Sequence, residues 1–194
     1  DIVTIDATNP FGNSNPLPKG ILREPIENLN RANFFIITRA NLVQNIDETK
    51  ATIKRYNPNS PIITSHNQIV SITKLEDYPR QTPDENRQTK NTYLAFCALG
   101  NPDNFFDQLV KESYNIVATH KFSDHHFYSQ QDIKKLEQKA EESNAEAFIT
   151  TAKDAVKLKN LDFHFPCYIA ESNIIFDDEK KLRQMIDTVF RPIL

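Results

Sequence analysis

Short apolar runs recur along the chain, and between them apolar residues return at every third or fourth position. The runs cover residues 2–6 (IVTID), 33–38 (NFFIIT), 92–99 (TYLAFCAL), 115–122 (NIVATHKF), 147–151 (AFITT) and 167–172 (CYIAES). Strands that are continuously apolar rather than alternating belong to parallel sheets covered on both faces. Helical spacing falls between them. It appears at 21–33, where Leu22, Ile26 and Leu29 share a face and Pro25 suits a first turn, and again at 45–56, 103–112, 129–143, 153–160 and 177–194. In the last of these, Leu182, Met185, Ile186 and Val189 line one side.

Strand, loop, helix and strand over residues 2–38 predict one parallel βαβ crossover, and the series from residue 92 onward predicts a second, doubly wound one. Between them, the alternation over 63–75 predicts one or two strands exposed on one face, and the polar, proline-containing stretch 76–90 reads as a linker and domain boundary. Residues 9–18 form a long loop rich in Pro and Asn. No internal repeat is visible.

Composition narrows the function. A formal net charge of -3 and a pI near 6.0 give no basic footprint for nucleic acid. Cys97 and Cys167 lie within apolar runs and read as small buried hydrophobes rather than redox or metal groups. No stretch approaches the roughly 18 uninterrupted apolar residues of a spanning helix, and the default location is cytoplasmic. The sequence opens at Asp1 on a strand-like run with no initiator Met, which reads as a start within a fold.

Candidate chemistry gathers at strand ends. Asp124 and His125 follow a predicted strand on the edge where open α/β sheets bind ligands; the competing reading is a helix cap beside a solvated histidine pair. The spacing HxxxDHH from His120 also suits a metal, but strand ends produce it often, and no metal site is assigned. Arg23 and Glu24 precede a helix, where the guanidinium suits a phosphate or the pair is simply surface. Asp6 ends the first strand, where it either faces a ligand or stops the strand. Thr151 and Asp154 read as helix caps. Phe105 and Phe106, adjacent in a helix, are expected not to share a core, so that one marks an exposed contact surface.

Longer blocks add a family resemblance. IDATNPFGNSNPLPKGILREP, FCALGNPDNFF, ATHKFSDHHFYS and ITTAKDAVKL stand in the order seen in the tetraacyldisaccharide 4′-kinases, and the chain resembles the C-terminal part of that family. Asn13-Ser14 stands where the family usually has Asn-Gly, and Ala152 where it has Glu. The resemblance implies a three-layer α/β/α fold, the remnant of a P-loop lobe and a smaller C-terminal α/β lobe joined by a β-strand hinge. Residues 1–60 would complete the nucleotide-binding lobe, 61–91 the hinge strands and linker, 92–166 the smaller lobe, and 167–194 a return strand and helix packed on the first lobe.

The implied activity is ATP- and Mg²⁺-dependent phosphorylation of the 4′-hydroxyl of a tetraacyldisaccharide 1-phosphate in lipid A biosynthesis. The implied partner is a lipid-anchored disaccharide, met at the cytoplasmic face of the inner membrane, with peripheral membrane contact made by a portion outside these residues. His125, with Asp124, would orient a catalytic Asp that has no counterpart in this sequence, and Arg23, Glu24 and Asp6 would face the nucleotide. No GxxxxGK followed by Ser or Thr occurs, so the chain is expected to be a fragment that does not bind ATP alone. The alternative is a non-catalytic product that binds a sugar phosphate or a protein.

Overall fold

The computed structural model describes residues 1–79 and 91–190, with side chains described through residue 187. Seven strands lie among them: β1 (Ile2–Asp6), β2 (Phe34–Thr38), β3 (Ile62–Lys74), β4 (Thr92–Cys97), β5 (Asn115–Lys121), β6 (Ala147–Thr151) and β7 (Cys167–Phe176). The helices are α1 (Asp47–Tyr56), α2 (Pro102–Lys111), α3 (Gln130–Ser143), α4 (Ala152–Leu158) and α5 (Glu179–Phe190). The chain divides into two compact units, residues 1–67 with 174–194 and residues 68–173, so β3 and β7 are each shared between the two.

In the first unit β1 pairs with β2, and β2 with the start of β3, all parallel. Because successive residues of a strand point to opposite faces, Phe35 and Ile37 pack with Ile5 and Ile53 of α1, while Phe34 and Ile63 pack with Met185 and Leu182 of α5. The sheet is covered on both sides. Ile186 is more exposed than its two helical partners, and the expected role of Val189 lies outside the described side chains.

In the second unit the strand order is β7-β6-β4-β5, with every one of these pairs parallel. The central strand β4 is buried on both faces, as its uninterrupted apolar run requires. Tyr93, Ala95 and Cys97 meet Phe106 and Leu109 of α2, and Leu94 and Phe96 meet Ile133, Leu136 and Ala140 of α3. This is the three-layer α/β fold expected of the sequence.

Two local expectations are revised and one is narrowed. The helix expected at 21–33 is a short 3-10 helix, Ile26–Arg31, in which the weak helix formers Asn28 and Asn30 interrupt the stronger Glu27, Leu29 and Arg31. Of the one or two strands expected over 63–75 the structure has one, Ile62–Lys74, followed by a 3-10 turn, Leu75–Asp77, that enters the expected linker; residues 80–90 of that linker lie outside the described residues. Phe105 and Phe106 pack against the same core cluster with ring centroids 5.8 Å apart, because a long aromatic side chain can swing back across the angle that separates neighbours on a helix.

Candidate functional site

The order β7-β6-β4-β5 puts a topological switch between β4 and β6, the place where doubly wound sheets open a crevice beyond their carboxyl ends. Here that crevice is bridged by one side chain. Asp154, on the first turn of α4, is 0% exposed, and its Oδ2 accepts hydrogen bonds from the Ala98 N–H at 3.1 Å and from the Thr151 hydroxyl at 2.8 Å. Thr151 in turn caps α4 by accepting from the Asp154 N–H. The second oxygen, Oδ1, has no hydrogen-bond partner, and the Lys157 ammonium stands 3.9 Å from it. Tyr128 lies beside the same carboxylate without completing a sound hydrogen bond to it; burial, then the Asp154 charge, raises its pKa. Burial and the same charge push the Cys97 thiol up to about 12, which leaves it an inert core group. Burial alone raises Cys167.

The loop after β5 borders this edge and carries the predicted pair. Asp124 Oδ1 accepts from the His125 N–H at 3.0 Å and from Lys153 Nζ of α4 at 3.4 Å. Its Oδ2 lies 3.6 Å from His125 Nε2 and faces Gly100, where a Cβ would stand in ordinary contact at 3.5 Å. Partial desolvation works against ionisation of Asp124, but the Lys153 hydrogen bond, the charges of His125 and Lys153 and the His125 N–H together hold it below its ordinary value. The His125 side chain is 76% exposed, and its backbone sits in the left-handed region at φ 60°. A non-glycine residue there costs of order 1 kcal/mol or more, which draws attention to what the residue presents.

His126 has a different role. Its ring stacks on Phe122 with centroids 4.6 Å apart, and its Nε2 meets Asp132 at 3.2 Å. Asp132 also completes the capping box of α3 with Ser129, whose hydrogen bond is the largest cause of its lowered pKa. Among the described residues no three His, Cys, Asp or Glu side chains come together as metal ligands, and the HxxxDHH spacing does not converge on a point.

In the first unit the predicted residues fall at two places. Asp6 ends β1 and is saturated: Oδ1 accepts from the Thr8 N–H and hydroxyl, and Oδ2 pairs with Arg39 at 2.7 Å. Arg39, just past β2, is also held in the left-handed region at φ 55°. Arg23 and Glu24 border a groove of about 670 Å³ together with Arg31, Ile2, Phe11 and Ile21. Glu24 is bound to Asn28 and Arg31, which in that order lower its pKa, and so fixes the 3-10 helix. Arg23 is exposed and has no hydrogen bond or ion pair to another described residue.

The glycines flanking this groove are taken up by the loop itself. Gly12 has φ +52° and a Cβ there would meet Ile21 at 2.6 Å; a Cβ on Gly20 would meet Asn13 Oδ1 and the Asn15 carbonyl at 2.1 Å. At both positions the loop closes on the space a side chain would need, and the Gly20 N–H donates to the Pro16 carbonyl. Asp154 and Arg39 were not among the residues singled out for binding. For Arg39 the available signal was a charged residue directly after an apolar strand.

The family model described as Tetraacyldisaccharide-1-P 4'-kinase matches residues 1–191. Similar curated proteins include the tetraacyldisaccharide 4'-kinase of Halothermothrix orenii, 33% identical over 204 residues, covering 96% of this chain and 53% of the relative. That of Syntrophotalea carbinolica is 28% identical, covering 97% and 50%, and that of Rickettsia canadensis 32% identical, covering 89% and 47%. A crystal structure of LpxK from Aquifex aeolicus in complex with ATP matches with a TM-score of 0.57 at 18% identity, covering 98% of this chain and 52% of that one. It shares the fold. The chain spans about half the length of the relatives it matches.

Proposed function

Because this chain belongs to the tetraacyldisaccharide 4′-kinase family, we propose that it supplies part of the machinery that moves the γ-phosphoryl group of ATP to the 4′-hydroxyl of a tetraacyldisaccharide 1-phosphate in lipid A biosynthesis. In that reaction the 4′-oxygen forms a bond to the γ-phosphorus, the bond from that phosphorus to the β–γ bridging oxygen breaks to release ADP, and the hydroxyl proton passes to a carboxylate base. His125 orients that base, and Asp124 holds His125 through its N–H. The observation that carries this reading is the exposed imidazole of His125 on a left-handed backbone at a parallel-sheet carboxyl edge.

Arg23 faces anionic oxygens with a guanidinium that no other described side chain engages, a suitable donor fork for phosphate. Glu24 acts at one remove by fixing the adjacent turn, and Asp6 by holding Arg39. Mg²⁺, when bound with the nucleotide, would neutralise phosphate charge. The described residues do not make a cage for it, since no three ligating side chains converge and Asp6 is already committed, so no step here runs through the ion. The acyl chains of such a substrate would keep the reaction at the cytoplasmic face of the inner membrane, with peripheral contact; among the described residues no helix is long and apolar enough to cross a membrane.

The 194 residues are expected to bind ATP weakly by themselves, because phosphate gripping needs a glycine-rich row of backbone amides with its lysine and no GxxxxGK followed by Ser or Thr occurs. Calorimetry with Mg²⁺ and ATP tests this, and micromolar affinity would overturn it. Catalysis is tested by fusing these residues behind the preceding portion of the Halothermothrix orenii relative. The fusion is expected to phosphorylate the disaccharide, and His125→Ala to lower kcat roughly 100-fold. Undiminished turnover in that variant would remove His125 from the mechanism.

A further inference from the structure

We propose that α4 is the positioning element of the His125 loop, with Lys153, Asp154 and Lys157 clamping residues 124–126 and the end of β4 from one short helix. The proposal rests on the reading of His125 given above and extends it to residues that do not touch substrate.

Two bonds from a single two-turn helix reach this loop, and a third holds the end of β4 beside it. Lys153 Nζ donates to Asp124 Oδ1 at 3.4 Å, on one side of His125. Lys157 Nζ donates to the His126 carbonyl at 3.1 Å, on the other. Asp154, between them in the chain, is fully buried and takes the Ala98 N–H at the mouth of β4. Its free oxygen, Oδ1, stands 3.9 Å from Lys157 Nζ, so the buried charge also sets where that ammonium stands.

A cap alone would not need this arrangement. The cap of α4 is complete with Thr151 accepting from the Asp154 N–H, and a capping carboxylate works as well when solvated. Burying it is costly unless the charge is used to fix something, and what it fixes is the crevice edge and, through Lys157, the His126 carbonyl. The loop so held is strained at His125, and strain persists only where surrounding contacts over-determine it.

The test uses two readouts. In the 194-residue chain, backbone amide exchange at His125 and His126, whose N–H groups bond to Asp124 Oδ1 and to the Ser123 carbonyl, is followed by NMR. Lys157→Met is expected to speed exchange at both amides about tenfold, and Lys157→Arg to restore it. In the fusion with the relative, Lys157→Met should lower kcat about tenfold with the KM for the disaccharide unchanged. If Lys157→Met does not fold, Lys153→Met, at a half-exposed position, gives the same two readouts. Wild-type exchange at His125 and His126 in the variant that folds would overturn the proposal, as would a loss of activity confined to KM. Faster exchange in the 194-residue chain, together with a fusion that has no kinase activity even as wild type, would support the clamp and remove only the kinase reading.

Discussion

Asp6 and Asp154 both stand at the carboxyl ends of parallel strands, one in each unit, yet their surroundings are opposite. Asp6 is 30% exposed and meets an Arg39 guanidinium that is itself 34% exposed. Asp154 is 0% exposed and draws on a backbone N–H, a hydroxyl and a lysine 3.9 Å away. A half-exposed pair exchanges one favourable arrangement for another at less cost than a buried one, so Arg39 is the freer of the two partners to move. A buried carboxylate has no such latitude, and the edge it holds is set before any ligand binds. One edge is adaptable and the other preorganised.

The largest effect that tests this contrast is on stability. Asp154→Ala removes the partner of the Ala98 N–H, leaves Lys157 without its counter-charge and opens a small void. A loss of about 3 kcal/mol is expected, read as a lower urea midpoint. The same substitution at Asp6 should cost well under half of that. Equal losses at the two positions would mean that burial does not separate the two edges.

A smaller effect belongs to the second unit alone and depends on pH. His120 packs its ring 4.6 Å from Phe122, and burial, then the nearby Lys139 charge, lowers its pKa below the ordinary 6.5. The sign follows from linkage: between the lowered folded value and 6.5 the unfolded chain binds more protons, so stability rises with pH across that interval. The contribution is complete above 6.5 and is lost as pH falls through the folded value. His120→Gln should flatten the slope of the urea midpoint just below pH 6.5, with little change above it. An unchanged slope would place the titration elsewhere.

How much of this was legible beforehand differs by range of interaction. The strand cores at β4 and β6 were plain in the sequence, because a central parallel strand must be apolar on both faces. The Asp124-His125 loop was found by its place after a strand and by the block around it. Asp154 was read only as a cap, since Thr151 lies three residues away and gives a local reason for it. Its bond to Ala98 spans 56 residues and exists only because the crossover sets β4 beside β6. The expectation that Phe105 and Phe106 would not share a core failed for a related reason: helical spacing fixes where a Cα–Cβ bond points and not where a long ring finally packs. The bonds of Glu24 to Asn28 and Arg31 depend on a 3-10 geometry that the spacing did not show.

The smallest effect sharpens the comparison most. Asp6→Asn removes a half-exposed ion pair while keeping an acceptor for Thr8, and it should cost about 0.5 kcal/mol in dilute buffer. Salt separates it from the buried case, since 1 M NaCl shortens the screening length to about 3 Å and weakens an exposed pair far more than an enclosed one. The gap between wild type and Asp6→Asn is therefore expected to vanish at 1 M NaCl, while the gap between wild type and Asp154→Ala persists. Urea midpoints at low and high salt for the three proteins decide it. A gap at Asp6 that survives high salt would show Arg39 to be as fixed as Lys157, and the first unit's edge would then be as preset as the second's.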